Sequence, residues 1–403
     1  MLDKLKQGLT RNVVFLGVVS GLTDISSEML YPLMPLFITS VLGAPMSALG
    51  FIEGSAEATA SLLKAAGGAL SDKSGKRKPF VVAGYGLSSL SKPLMAAAFS
   101  WPMVLCARII DRIGKGIRTS ARDALVASST EKPYWGKAFG FHRAMDTTGA
   151  AIGPFAALLL LNLGIGYRPI FLMAFFPALL GVLILMWLVK EKAPPQPSAA
   201  ASAGKKPGFF ESLRAMPPQY KRFLLFYGIF AIGNSSDAFL LLRAKNLGFG
   251  ASRVILAYIA YNVVYALCAG PAGWLSDRIG RRKTMAFGFC VFAAVYAGFA
   301  FAGHAWLVWP LFAAYGFYGA FNEGVASATV ADFSGEANRA TAMGIFQATT
   351  GLLAFCASLA AGFLWDAISP SAPFIVGSTC AALAAVLMIF TREPAKAQTA
   401  IKI

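Results

Sequence analysis

The chain has 403 residues, 57% of them hydrophobic and 14% charged, with a mean hydropathy of +0.61. Soluble proteins average about 25% charged residues, so this composition excludes a soluble globular enzyme or binding module and points to an integral membrane protein. The formal charge of +17 would suit nucleic acid in a soluble chain, but here the basic residues cluster between apolar segments, where they set topology and meet anionic headgroups.

Taken in order, MLDKLKQGLTRN is basic, and no small-residue cleavage site follows the first apolar run, so 12–40 is expected to be a retained span rather than a signal peptide. Runs long enough to cross a bilayer lie near 12–40, 47–70, 78–99, 101–125, 136–161 and 167–190, and again near 221–245, 251–276, 283–302, 306–331, 339–364 and 371–391. The expected fold is therefore all-α and membrane-embedded, with twelve helices in two sets of six. The basic residues alternate sides: Lys73, Lys76, Arg77 and Lys78 follow the second run, Lys190 and Lys192 the sixth, and Arg278, Arg281, Arg282 and Lys283 the eighth. The intervening loops VLGAPMS, AFSWP and AGHAW are bare, which puts both termini in the cytoplasm by the positive-inside rule. Arg243, Lys245 and Arg253, after the seventh run, are a weak exception. EKAPPQPSAAASAGKKPG cannot build a core. The expected division is a six-helix bundle over 1–190, a cytoplasmic linker over 191–220 and a second bundle over 221–403. The five cysteines fall in apolar segments without framework spacing and imply neither disulfide nor metal.

The fourth run contains the densest charge. CARIIDRIGKGIRTSARDAL, Cys106 to Leu125, carries Arg108, Asp111, Arg112, Lys115, Arg118, Arg122 and Asp123. At about 100° per residue, Arg108, Asp111, Lys115, Arg118 and Arg122 fall within an arc of roughly 80°. Such charges are costly in hydrocarbon and should face a polar cavity or one another.

The halves repeat. GGALSDKSGKRK (67–78) matches AGWLSDRIGRRK (272–283), Asp24 matches Asp237, and aligning Trp101-Pro102 with Trp309-Pro310 sets Lys115 opposite Glu323. A duplicated six-helix unit is a transporter signature, with the substrate site at mid-membrane between the halves. On these residues the chain resembles the major facilitator superfamily over nearly its whole length, because G-x-L-x-D-x-x-G-x-[RK]-[RK] occurs at Gly68 to Lys78 and again at Gly273 to Lys283. GAAIGPF, with Gly149, Gly153 and Pro154, resembles the fifth-helix motif of exporters in that superfamily, although Ala156 and Ala157 stand where a later glycine pair is expected. The fourth helix departs from the drug-exporter pattern R-x-x-Q-G and looks like a branch of bacterial permeases with D-R-x-G-K-G-x-R-T-x-x-R-D-A. That places the chain in a bacterial inner membrane and puts a generic multidrug role in doubt.

The resemblance implies a cavity lined by helices 1, 4, 7 and 10. It also implies a latch that breaks during alternating access, built from Asp72, Lys76, Arg77 and Asp123 in one half and Asp277, Arg281 and Asp332 in the other. Intramembrane carboxylates are the candidate proton carriers: Asp24, Glu28, Glu53, Glu57, Asp111 and Glu323. The candidate substrate ligands are Arg108, Arg112 and Lys115, whose forks and ammonium match carboxylate or phosphate oxygens, with Tyr31, Tyr261, Asn262 and Asn322 as polar cavity groups. The competing account is internal neutralisation, with Glu53 or Glu57 paired to Lys64, Asp24 to a fourth-helix arginine, or Lys92 to one of the acids. Gly149 and Gly153 suit close helix packing.

No catalytic constellation, metal spacing or phosphate-cradling loop is present in the sequence, so neither enzyme activity nor a cofactor is expected. The expectation is a monomeric, proton-coupled secondary transporter that exports a small anionic organic solute by antiport. A proton symporter importing a carboxylate- or phosphate-bearing metabolite, and a non-transporting receptor or scaffold, remain as alternatives.

Overall fold

The computed structural model describes residues 9–74, 76–191 and 209–390, with the side chains at 65–70, 72, 73, 210, 335–338 and 340 outside the described set. The described chain is helical throughout. We label α1 Arg11–Val41, α2 Met46–Ser74, α3 Lys78–Ala97, α4 Trp101–Ser128, α5 Trp135–Asn162, α6 Tyr167–Leu188, α7 Pro218–Asn246, α8 Ala251–Ile279 and α9 Arg281–Phe301. Residues 308–340 form α10, Thr341–Ala367 α11 and Ala372–Phe390 α12.

Among the described residues eight helices are long and apolar enough to cross a membrane on their own composition. The expected spans outside that set, α2, α3, α4 and α10, carry Glu53, Lys92, the α4 ladder and Glu323, which their neighbours shelter: α2 packs between α4 and α11, and α3 lies along α4. Exposed apolar side chains such as Phe99, Trp187, Phe301 and Phe390 cover the outside, as a lipid-facing surface requires.

α10 and α11 run as one unbroken helical stretch, Val308–Ala367, although two separate spans are expected there. The stretch nevertheless folds back on itself. Phe333 and Phe346 would lie about 20 Å apart on a straight helix at 1.5 Å per residue, yet their rings sit 6.2 and 5.8 Å from that of Phe223.

Two helices break at mid-length for readable reasons. In α1 the turn at Tyr31–Leu33 follows from Pro32, which supplies no amide, and a π-helical turn, Phe37–Val41, completes the span. In α7 the helix stops at Gly233 and resumes at Ala238. The amide of Ser236 is satisfied by Ser358 Oγ of α11 at 3.1 Å, and that of Ala238 by Ser236 Oγ at 3.3 Å. Unwound backbone at membrane depth is tolerated only where it is buried in protein or lines a cavity.

The two halves differ in what fills them. The second half is packed with aromatic rings: Phe230 stacks on Phe289 at 4.3 Å and Phe292 on Tyr296 at 3.9 Å. The first half buries charge instead, including Glu53, Lys92, Arg108, Asp111 and Arg118.

A cleft runs between the halves and narrows toward one end. At that end the amides of Met46 and Ser47, at the start of α2, donate to the Asp366 carboxylate of α11 at 3.0 and 2.8 Å. Ser252 of α8 donates to Asn162 of α5 at 2.7 Å, and Lys245 of α7 reaches Ser40 of α1. α2 and α11 touch there through glycine, since a Cβ at Gly50 or Gly362 would overlap the partner backbone. Gly344 lies on the same α11 face as Gly351, one heptad nearer the other end, and a Cβ there would meet no described atom within 4 Å.

Candidate substrate cavity

A cavity of about 580 Å3 occupies the cleft. Helices 1, 4, 7 and 10 supply Tyr31, Arg112, Asp237 and Glu323 to its wall, as expected, and α2, α5, α8 and α11 add Glu57, Arg143, Tyr258 and Ser358. A smaller pocket of about 60 Å3 lies behind the first-half wall, between α1, α3 and α4, and contains Asp24, Lys92 and Asp111.

The α4 ladder does not present itself uniformly. Arg108 is bound by Glu53 of α2, with Nη2 at 2.8 and 2.9 Å from the two carboxylate oxygens and Nε at 3.2 Å from Oε1. Asp111 is bound by Lys92 of α3 at 2.9 Å, with Ser91 Oγ at 3.5 Å. Arg118 donates to Ser88 at 2.6 Å and lies over the Tyr85 ring at 4.4 Å. Arg122 donates to Asp123 at 3.0 Å and to Ser20 at 3.2 Å. Two cations are left. Arg112 has one ion-pair contact, from Nε to Asp111 at 3.8 Å, which is too long for a hydrogen bond. The Lys115 ammonium makes no hydrogen bond or ion pair among the described residues and lines the cavity.

The acids also divide. Glu53 and Asp111 are held in ion pairs. Glu28 accepts from Tyr258 across the cleft at 2.9 Å, and Glu57 lines the cavity with Ser61 at 3.4 Å. Asp24 faces the smaller pocket, with no ion pair to an α4 arginine. No ion pair joins Lys64 to Glu53 or Glu57 among the described residues, because Arg108 takes Glu53 first. On the opposite wall Asp237 sits at the break of α7 and accepts from Tyr315 at 2.7 Å; Glu323 accepts from Tyr265 at 2.9 Å.

Of the expected polar cavity groups, Tyr31 lines the wall and its ring lies 5.4 Å from that of Tyr258. Tyr261 stands one layer back, between Tyr258 and Tyr315 at 5.8 and 5.1 Å. Asn262 and Asn322 lie off the wall. Each turns its amide back to its own helix, onto Tyr258 O at 2.9 Å and Tyr318 O at 3.0 Å, and Asn322 packs on Gly288 of α9. Gly149 and Gly153 seat α5 on α1, where a Cβ would press on the Gly21 and Ile25 carbonyls, with Pro154 buried beside them.

At the loop end the second half forms its ion cluster. Arg281 bridges Asp277 at 2.6 Å and Asp332 at 3.2 Å. Gly280 adopts φ +98, a conformation that favours glycine, which accounts for the second glycine of the motif. In the first half Arg77 donates to Ala124 O at 3.0 Å, at the end of α4, while Asp123 is held by Arg122. Lys76 is exposed, with its amide on Ser74 Oγ at 3.3 Å. The Asp72 side chain lies outside the described residues.

Three functional positions carry no motif. Arg143 lines the cavity from α5 and faces Tyr265 and Glu323 across the cleft; its only sequence signal is a cation inside an apolar span. Glu191 accepts from the amide of Lys78 at 3.2 Å and caps α3. Arg243, the exception to the charge rule, satisfies the last carbonyls of α9, Phe299 at 2.9 Å and Ala300 at 3.3 Å. It is a structural clamp rather than a topology signal.

A helical membrane bundle with an ionised cavity between two halves, closed at one end, is the build of a secondary transporter. The profile described as Major Facilitator Superfamily matches residues 16–250 and 225–402. The chain belongs to that superfamily. It is 39% identical, over 95% of each chain, to an uncharacterized MFS-type transporter of Methanocaldococcus jannaschii. It is 29% identical to an uncharacterized protein of Mycobacterium tuberculosis over 95% of this chain and 93% of that one. A crystal structure of the nucleoside transporter NupG superposes with a TM-score of 0.75, covering 94% of this chain and 98% of that one at 14% identity, which is a likeness of fold.

Proposed function

We propose that the protein is a proton-coupled secondary active transporter that exports a small anionic organic solute by antiport, alternating about the central cleft. The observation that carries this reading is the contrast within α4. Arg108 is saturated by Glu53, while Arg112 and Lys115, one and two turns further on, make no hydrogen bond among the described residues and line a cavity of about 580 Å3. Ligand cavities typically occupy about 300–1,000 Å3. An arginine fork and an ammonium in a dry site bind carboxylate or phosphate oxygens with charge-assisted hydrogen bonds.

The same reading takes 1–190 and 221–403 as the rocking units and 191–220 as their linker. By the positive-inside rule the basic loops and both termini face the cytoplasm of a bacterial cell, so the end joined by the Met46 and Ser47 amides to Asp366 faces away from it. The protein works as a monomer in the inner membrane. Coupling falls to acids without an ion pair, Asp24, Glu28, Glu57 and Glu323, rather than to Glu53 and Asp111.

The test is solute exchange in proteoliposomes with an imposed proton gradient, using a panel of small organic anions, for wild type and Arg112→Lys. Wild type should accumulate an anion against its gradient. Arg112→Lys should lower affinity for that anion by about ten- to a hundredfold, the loss of one charge-assisted hydrogen bond of roughly 1.5–3 kcal/mol, with the protein still folded. Transport indifferent to a collapsed proton gradient would end the coupling claim, and a neutral solute bound away from α4 would end the anion claim.

A further inference from the structure

The two walls of the cavity carry opposite charge. Its cations among the described residues, Arg108, Arg112, Lys115 and Arg143, all come from the first half; the second half contributes two acids, Asp237 and Glu323, and no cation. Several of these cancel in place. Arg108 is held by Glu53, and Arg143 faces Glu323 through Tyr265. Glu28, on the first-half wall, accepts from the Tyr258 hydroxyl across the cleft, which leaves its charge uncancelled. What remains is Arg112 and Lys115, with Glu28 and Glu57, on one side, and Asp237 on the other.

Asp237 is built to take a cation. It stands where α7 is unwound, beside Ser235 and Ser236, and unwound carbonyls and carboxylates coordinate cations in broken-helix transporters. Oδ1 accepts from Tyr315, while Oδ2 has no partner among the described residues. Around it Tyr258, Tyr261 and Tyr315 form a chain of rings at 5.8 and 5.1 Å, whose faces attract an ammonium. A purely anionic solute would leave this carboxylate unpaired when the cleft closes and water leaves, which is costly at membrane depth. A solute that brings its own ammonium satisfies both walls at once.

Resting on the transport reading above, we infer that the solute is amphoteric: a small molecule with a carboxylate or phosphate that binds Arg112 and Lys115, and an amine that binds Asp237 and the tyrosines. Its two ends join the two halves, so closure of the cleft over it satisfies charges that neither end alone would satisfy.

The experiment uses purified full-length protein and probes of matched length: 4-aminobutyrate, butyrate and butylamine, with the six-carbon series and glutarate beside them. Binding is read by calorimetry and thermal shift. The expected result is that one of the amino acids binds at least tenfold more tightly than its monocarboxylate, its amine and the dicarboxylate. In Asp237→Asn that amino acid should fall to the level of the monocarboxylate. Should that variant fail to fold, Asp237→Glu keeps the charge on a longer arm and should move the preference to a probe one carbon shorter. Equal binding of amino acid and monocarboxylate, tighter binding of the dicarboxylate, or no binding of any probe at millimolar concentration overturns the inference. An Asp237→Asn protein that loses its response to a proton gradient but keeps the amino-acid preference overturns it too. Spin-label distances across the cleft, read without any solute, separate the two failures. If the cleft alternates and no amino acid is preferred, only the amphoteric assignment falls; if the cleft never alternates, the transport reading itself falls.

Discussion

Arg108 and Glu53 are joined by three hydrogen bonds, from Nη2 at 2.8 and 2.9 Å and from Nε at 3.2 Å, and both side chains are buried. This fork ties α4 to α2 at the level of the cavity, and Ser236 of α7 reaches the same carboxylate at 3.4 Å. A buried pair is neutral only while both partners are present. Glu53→Gln should therefore lower thermal stability, by about 3–5 kcal/mol where the guanidinium is left uncompensated. Adding Arg108→Gln should restore much of it. The check is detergent unfolding of the two single variants and the double. Additive losses in the double variant would show that the pair is not coupled.

The ion cluster of the second half predicts the opposite pattern. Asp277 and Asp332 are more than half and half exposed, so the Arg281 bridges add at most about 1 kcal/mol. Asp332→Ala should leave the melting temperature nearly unchanged yet shift the balance of open and closed clefts. Spin-label distances between the loop ends of α2 and α11 should report that shift. An unchanged distribution together with lost transport would assign Asp332 another role.

The fold was legible because hydropathy and loop charge are local properties. Each span announces itself by length, and the repeated Gly-x-Leu-x-Asp motif marks the duplication. The join of α10 and α11 was not legible: nothing in the sequence near Ser334 says whether a turn is helical. The partners of the ladder were not legible either. Glu53 lies 55 residues from Arg108, and Lys92 lies 19 from Asp111, and both pairings are set by which faces of α2 and α3 meet α4. Periodicity puts Arg108, Asp111 and Lys115 on one face; it cannot tell a neighbour's carboxylate from open cavity. Asn262 and Asn322 illustrate the same limit, since a polar residue in mid-helix can turn to its own backbone.

Coupling can be tested on acids that no ion pair holds. Asp24 faces the small pocket without a hydrogen bond or ion pair among the described residues, and Glu57 lines the main cavity. Asp24→Asn or Glu57→Gln should abolish gradient-driven accumulation and spare solute exchange. Asp111→Asn should instead reduce stability, because it strands the Lys92 ammonium buried at 2% exposure. Accumulation that survives both Asp24→Asn and Glu57→Gln would move the proton site to Glu28 or Glu323.

The packing of α2 against α11 separates the two ends of the cleft in a way that single methyl groups can probe. A Cβ at Gly50 would overlap the Ser358 carbonyl, and one at Gly54 would stand 2.9 Å from the carbonyl of Phe355. Backbone cannot yield as a side chain can, so Gly50→Ala should push the helices apart at the closed end. Gly344 lies on the same α11 face toward the loop end, opposite α2 side chains outside the described residues. If the protein alternates, the two glycines exchange roles: closure at the loop end brings Gly344 toward α2 while Gly50 is released. Gly50→Ala should then favour the opposite-facing state and Gly344→Leu should lock the present one, with opposite shifts in the distances at the two ends of the cleft. Matching shifts of the same sign at both ends would mean that α2 and α11 separate as a whole rather than rocking about the cavity.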